Sequence, residues 1–206
     1  FYTTEDGTIS SNLSFTSTTD AKKGDNTITF DELLDGEYKD KTITVTDSAG
    51  NVSNTLTIPT FIIDTTSPSI SSIIPDWGDS LNATEVGTDQ REVKVVTSGI
   101  EDGQTLTIEL NSRSYNGIIN SNNVTITISG SDLQSLIDGQ TYTIKANVSD
   151  KAGNAAVEKS IDFSVDTTSP TLTNVTPIGT TSDNTPSYTF YTTEDGTISS
   201  NLSFTS

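Results

Sequence analysis

Asp150-Lys151-Ala152-Gly153-Asn154, then a strand-like run, then Asp166-Thr167-Thr168-Ser169-Pro170, is the stretch on which the fold turns. The same text stands earlier in the chain as Asp47-Ser48-Ala49-Gly50-Asn51, closing on Asp64-Thr65-Thr66-Ser67-Pro68. Each copy sets one carboxylate in a Gly-Asn turn and another at a proline-stiffened exit. The two exits lie 102 residues apart, and about 100 residues is the size of an immunoglobulin-like sandwich. Asp-Thr-Thr-Ser-Pro is therefore read as a junction between β-sandwich domains.

A longer repeat encloses this one. Phe1 to Ser17 (FYTTEDGTISSNLSFTS) recurs letter for letter as Phe190 to Ser206, an offset of 189. Identity that extends to solvent-facing polar positions points to recent tandem duplication. Aligned on the junctions, the chain divides into a partial domain at 1–66 lacking its first strand or strands, a complete one at 67–166, and the opening strands of a third at 167–206. The partial pieces are complementary, because residues 167–189 supply what the first piece lacks. The expectation is an internal excerpt of a longer tandem chain, with strand donation between neighbouring chains as the alternative.

The complete unit carries the alternation of half-buried strands. Ile70, Ile73 and Ile74 open it, with Pro75 suited to an edge. Val93 to Val96 follow, then Leu106, Ile108 and Leu110, then Val124, Ile126 and Ile128. Ser131 to Ile137 reads as one capped helical turn. Tyr142, Ile144, Ala146 and Val148 form the next inward face, and Ile161, Phe163 and Val165 the last. The first piece repeats the order with Ile28 and Phe30, a turn at 31–36, Tyr38, Ile43 and Val45, then Leu56 and Ile58. The fold class is all-β: tandem immunoglobulin-like β-sandwiches in a linear array.

Composition narrows the function. The formal charge is −18 with no His, and apolar residues make up 31% of the chain. Such a surface repels nucleic-acid phosphates and anionic membranes and favours divalent cations. No apolar run is long enough for a membrane-spanning helix. Without His or Cys there is no Ser-His-Asp triad and no histidine or thiolate metal site. Carboxylate pairs for glycoside hydrolysis need an acid in an apolar pocket, whereas these recur in glycine-rich turns. An enzyme is not expected.

The pattern Asp-Gly-x-(x)-Tyr, strand, Asp-x-Ala-Gly-Asn, strand, Asp-Thr-Thr-x-Pro resembles the bacterial Ig-like repeats of giant surface adhesins, both enterobacterial non-fimbrial adhesins and the extender regions of RTX adhesins. The likeness covers essentially the whole chain. It implies an extracellular, bacterial cell-surface location and junctions that bind calcium and stiffen the fibre. One departure is that Tyr38 precedes Asp47 by nine residues, while Tyr142 precedes Asp150 by eight.

The sandwich geometry names the ligands. The incoming chain of an Ig-like fold arrives at the end that carries the B–C and F–G loops, so Asp64 should meet Glu101, Asp102 and Asp150. Four carboxylates at one place repel one another without a cation, and Ca2+ takes six to eight oxygens. The same logic groups Asp166 with Glu194 and Asp195, and Glu5 and Asp6 with Asp47. The plainer alternative is that Asp47 and Asp150 make Asx turns and Glu-Asp-Gly an ordinary turn. Asp31, Asp35, Asp132 and Asp138 fall at the opposite end, where capping and turn formation account for them. Tyr38 and Tyr142 read as corner tyrosines. Trp77 is either a lid over the core or a platform for a sugar ring.

The function expected is a structural extender, a stalk stiffened by Ca2+ that projects an adhesive tip. Its partners are neighbouring repeats of the same chain, with a host or surface receptor reached through a tip domain outside this stretch. Nucleic acid and membrane insertion are not expected. The alternatives are repeats that themselves bind a glycan or protein ligand, and a strand-exchanging filament subunit.

Overall fold

The computed structural model describes residues 1–87 and 89–202. The N-terminal body holds β1 (Tyr2–Thr3), β2 (Gly7–Ser11), β3 (Asp20–Ala21), β4 (Gly24–Asp25), β5 (Gly36–Tyr38), β6 (Lys41–Thr46), β7 (Leu56–Ile58) and β8 (Phe61–Ile63). The central body holds β9 (Ser69–Pro75), β10 (Ser80–Asn82), β11 (Arg91–Ser98), β12 (Thr105–Leu110), β13 (Arg113–Ile118), β14 (Asn123–Ile128), α1 (Gly130–Leu133), β15 (Thr141–Asn147) and β16 (Lys159–Asp166). A C-terminal hairpin pairs β17 (Leu172–Thr176) with β18 (Thr189–Thr192).

The central body is an immunoglobulin-like sandwich. One sheet runs β14-β11-β9 and the other β10-β16-β15-β12-β13. β9 opens on one sheet, and β10 then crosses to lie parallel to β16 at the edge of the other. Alternate residues of the facing strands fill the space between, with Val93, Leu106, Ile108, Ile128, Ile144 and Phe163 among those almost completely buried. The alternation calls for this, because period-two side chains bury one face of each strand. Trp77 is part of the core, 6% exposed and edge-on to Phe163 with ring centroids 5.3 Å apart. It is a lid, and no sugar ring can stack on it.

Two elements depart from the sequence expectation. β13 is an edge strand whose Arg113-Ser-Tyr-Asn-Gly-Ile118 lacks an apolar face, and it is held by pairing with β12 and by Asp132. Arg113 meets Asp132 at 2.6 Å, and the Tyr115 hydroxyl donates to the same carboxylate at 2.8 Å. Gly117 lets β13 lie against the core, since a Cβ there would stand 2.4 Å from Val124 Cγ2. The helical turn starts earlier than expected, capped by Ser129 rather than Ser131. Its apolar anchor, Leu133, is fully buried.

The N-terminal body has a small core of Ile9, Ala21, Ile43 and Val45. Here the expectation of a strand at Ile28 and Phe30 is corrected. Phe30 makes an isolated bridge to Phe15 and stacks its ring on Phe61 with centroids 6.5 Å apart, so this segment is anchored by a side chain and not by a ladder. The extra residue between Tyr38 and Asp47 also finds its place. Asp40 adopts φ 56° and separates β5 from β6, so that β5 pairs with β8 and β6 with β7. In the central body the equivalent strand, β15, is unbroken.

Candidate functional site

Each Asp-x-Ala-Gly-Asn loop folds around its own carboxylate. Asp150 is buried, 5% exposed. Its Oδ1 accepts from the backbone N–H groups of Gly153 and Asn154, both at 2.8 Å, and its Oδ2 from Asn154 Nδ2 at 2.9 Å. Burial pushes this carboxyl up, but the Asn154 side chain and the loop amides outweigh it and hold it below the usual range. Asp47 repeats the design, with its Oδ1 accepting from Ala49 N and Asn51 N and its Oδ2 from Asn51 Nδ2 at 2.8 Å. The Asn51 side chain and amide hold Asp47 low in turn. Gly50 and Gly153 take φ 90° and 98°, which only glycine adopts without strain.

The linker enters at this end. Asn154 Nδ2 reaches the Asp64 backbone oxygen at 3.0 Å across 90 residues of sequence, and Lys151 N donates to Glu101 Oε2 at 3.1 Å. Pro68 is buried, its Cα next to Gly99 of the β11–β12 turn. Linker, Glu101 turn and Asp150 loop are therefore gathered at one end of the sandwich. A cleft of about 460 Å³ opens there between β12 and the loop, lined by Gly103, Gln104, Ser149 and Asp150 among others.

The side chains divide their attention. The Asp64 carboxylate turns back to its own Thr66 N at 3.0 Å, and Asp102 turns away to Ser121 N at 2.6 Å. Glu5, Asp6 and Asp47 line one hollow of about 150 Å³ with Asn51. There Asp6 bonds Lys23 N at 2.8 Å and meets Lys22 Nζ at 3.3 Å. Asp166 Oδ1 accepts from Thr168 N, and no hydrogen bond joins it to Glu194 or Asp195 among the described residues. Among the described residues no three acidic side chains converge closely enough to hold a metal ion, at the central junction or at either end. The oxygens gathered at the central end are hard ones, the chemistry calcium takes: the Asp64 carbonyl bonded to Asn154, and the Glu101 and Asp150 carboxylates, each bonded to amides of the Asp150 loop.

Two carboxylates that the sequence reading gave to turns reach further. Asp35 and Asp138 do more than form turns, because each grips the linker that leaves its own body. Asp35 Oδ1 accepts from Thr65 N at 2.9 Å and Thr65 Oγ1 at 2.8 Å, and its Oδ2 from Thr66 Oγ1 at 2.7 Å. Asp138 Oδ1 accepts from Thr167 N at 2.6 Å and its Oδ2 from Thr168 Oγ1 at 2.5 Å. A signal was available, since both stand twelve residues before the loop aspartate in an Asp-Gly pair.

No protein-family model matches the chain, and no curated protein does. Solved structures do. The chain is similar to a bacterial immunoglobulin-like domain from the M. primoryensis ice-binding adhesin, 25% identical, covering 48% of this chain and 96% of that one, with a TM-score of 0.36. It is similar to a Ca2+-stabilized adhesin that helps an Antarctic bacterium reach out and bind ice, 24% identical over 84% of this chain and 44% of that one, with a TM-score of 0.41. The tetra-tandem repeat in the extending region of a large adhesion protein is 17% identical over 82% of this chain and 44% of that one, also with a TM-score of 0.41. The chain thus spans less than half the length of the latter two.

Proposed function

We propose that this chain is a run of extender repeats in a bacterial surface adhesin or extracellular fibre, divided at 66/67 and 166/167, whose job is to set the angle between successive sandwiches. The observation that carries the reading is the bond from Asn154 to the Asp64 carbonyl, which ties the linker to the far side of the next body's Asp150 loop. A loop motif placed to hold the incoming linker serves every junction of a tandem array, which gives a physical reason for its repetition. The strong acidity keeps neighbouring fibres apart. No helix among the described residues is long and apolar enough to cross a membrane.

Calcium belongs to this reading as its finer part. Asp64, Glu101, Asp150 and Asn154 are the residues that would hold it at the central junction, and bound calcium would cancel repulsion among their carboxylates. Glu5, Asp6 and Asp47 would serve the N-terminal body, and Asp166, Glu194 and Asp195 the last junction. Asp102, occupied by Ser121, would have to leave that bond to join them. Extracellular modules bind calcium with Kd on the order of 10⁻⁴ to 10⁻³ M. At about 10 mM calcium one such site adds roughly 1–3 kcal/mol to the folded state.

Small-angle scattering on the chain, in millimolar calcium and then in chelator, tests the reading. The expected result is a larger maximum dimension with calcium, lost in Asn154→Ala with Glu101→Gln. An identical profile in both buffers overturns the calcium part.

A further inference from the structure

We propose that Asp35, and its counterpart Asp138, form a cation-independent clasp that locks each linker to the body it leaves, through paired bonds to successive Thr residues of Asp-Thr-Thr. The last ladder pair of the N-terminal body is Gly36 with Ile63. Beyond it the backbones separate, and the Asp35 side chain continues the pairing by accepting the Thr65 amide that the ladder no longer serves. The second oxygen takes the Thr66 hydroxyl. In the central body Gly139 N still bonds the Val165 carbonyl at 2.8 Å, and Asp138 takes up the chain at Thr167 and Thr168 in the same way.

Two features make this more than a local turn. The arrangement occurs at both places where an Asp-Gly pair faces an Asp-Thr-Thr linker, and it needs a hydroxyl at the second threonine, which both copies supply. At the first junction the clasp also works against the grip from the other side. Asp35 holds Thr65 and Thr66 from the body behind, while Asn154 holds the Asp64 carbonyl from the body ahead. The three linker residues are bonded from both directions, so rotation about the linker requires breaking several hydrogen bonds together. Pro68, buried at the next turn, removes a further degree of freedom. The purpose assigned to the clasp rests on the extender reading, but its existence does not depend on calcium.

The chain has no cysteine, so paired spin labels at Lys39→Cys and Glu109→Cys, both exposed positions on either side of the junction, report its angular spread directly. The measurement is made in chelator. The expected result is a narrow distance distribution that broadens about twofold in Thr66→Val and in Asp35→Asn, as a freed short linker would allow, with an unchanged circular dichroism spectrum. Thr66→Val removes one exposed hydroxyl and leaves both cores intact. A distribution equally narrow in both variants, or already broad in the parent chain, overturns the clasp. A separate run in calcium decides the cation reading: if calcium changes nothing while the variants still broaden, the clasp stands and the calcium proposal falls.

Discussion

At the scale of single residues, the linkers are governed by side chains that stand in for backbone hydrogen-bond partners, as donors as well as acceptors. Asn154 shows this most plainly, with one amide nitrogen bridging Asp150 Oδ2 and the Asp64 carbonyl. Asn154→Ala should cost about 1.5–3 kcal/mol in urea unfolding of the central body, the range for losing a hydrogen bond to a charged partner. The pH response follows from the clasp. Thr66 and Thr65 donating to Asp35, and the Thr167 amide and Thr168 hydroxyl donating to Asp138, hold both carboxyls below the usual range. A carboxyl whose folded pKa is depressed contributes stability above its unfolded value, near 3.9, and loses it as pH falls through the folded value. Linker order should therefore be flat from neutral pH to about pH 5 and decline below about pH 4. Spin-label distances measured across that range check this, and Thr66→Val should show a weaker dependence than the parent chain.

Among the elements, burial decides which strands a sequence pattern reveals. β12 and β14 were legible because Leu106, Ile108 and Leu110, and Val124, Ile126 and Ile128, all point into the core. β13 was not, because an edge strand held by ladder bonds, Arg113 and Tyr115 needs no apolar alternation. Burial and the Asp132 carboxylate push the Tyr115 hydroxyl up to about 12. Packing sets the cost of core changes. Phe163 is 2% exposed and sits under Trp77 and Tyr142, so Phe163→Ala should destabilise the central body by about 3–5 kcal/mol. Thermal or urea unfolding followed by Trp77 fluorescence measures it, because Trp77 is the sole tryptophan. In the N-terminal body Gly7 is fixed by the close approach of the Thr46 backbone and the Val45 side chain. A Cβ there would meet Thr46 O at 2.4 Å, which explains a glycine whose counterpart, Gly103, is needed for its φ of 91°.

Across the whole molecule, stability is distributed unevenly. The central sandwich buries a continuous cluster from Ile70 to Val165, whereas the cluster of the N-terminal body is Ile9, Ala21, Ile43 and Val45, with Leu13 buried apart from it. In the C-terminal hairpin Leu172, Val175 and Tyr191 are all more than half exposed. Hydrogen exchange read by mass spectrometry should therefore protect 70–165 most strongly and exchange the hairpin first, with 1–63 between them. Uniform protection across the three would contradict this ordering. The hairpin also repeats a local detail of the duplicated text, since Thr192 donates to the Glu194 carbonyl as Thr3 does to that of Glu5. Identical segments fold alike over that short range in different surroundings.

The amino-acid sequence alone determined the class of fold, the repeat, and the end of the sandwich at which Asp64 meets the Glu101 and Asp150 turns. Those follow from period-two alternation and from turn residues whose preferences are local. Tertiary structure alone decided where each carboxylate spends its oxygens. Asp102 faces Ser121, and Asp35 and Asp138 clasp the departing linker. A junction has two sides contributed by segments about 30 and 90 residues away along the chain. No local pattern encodes which of several exposed acids will find a donor across that distance, because the choice depends on how the ladders end and where the backbone leaves the sheet.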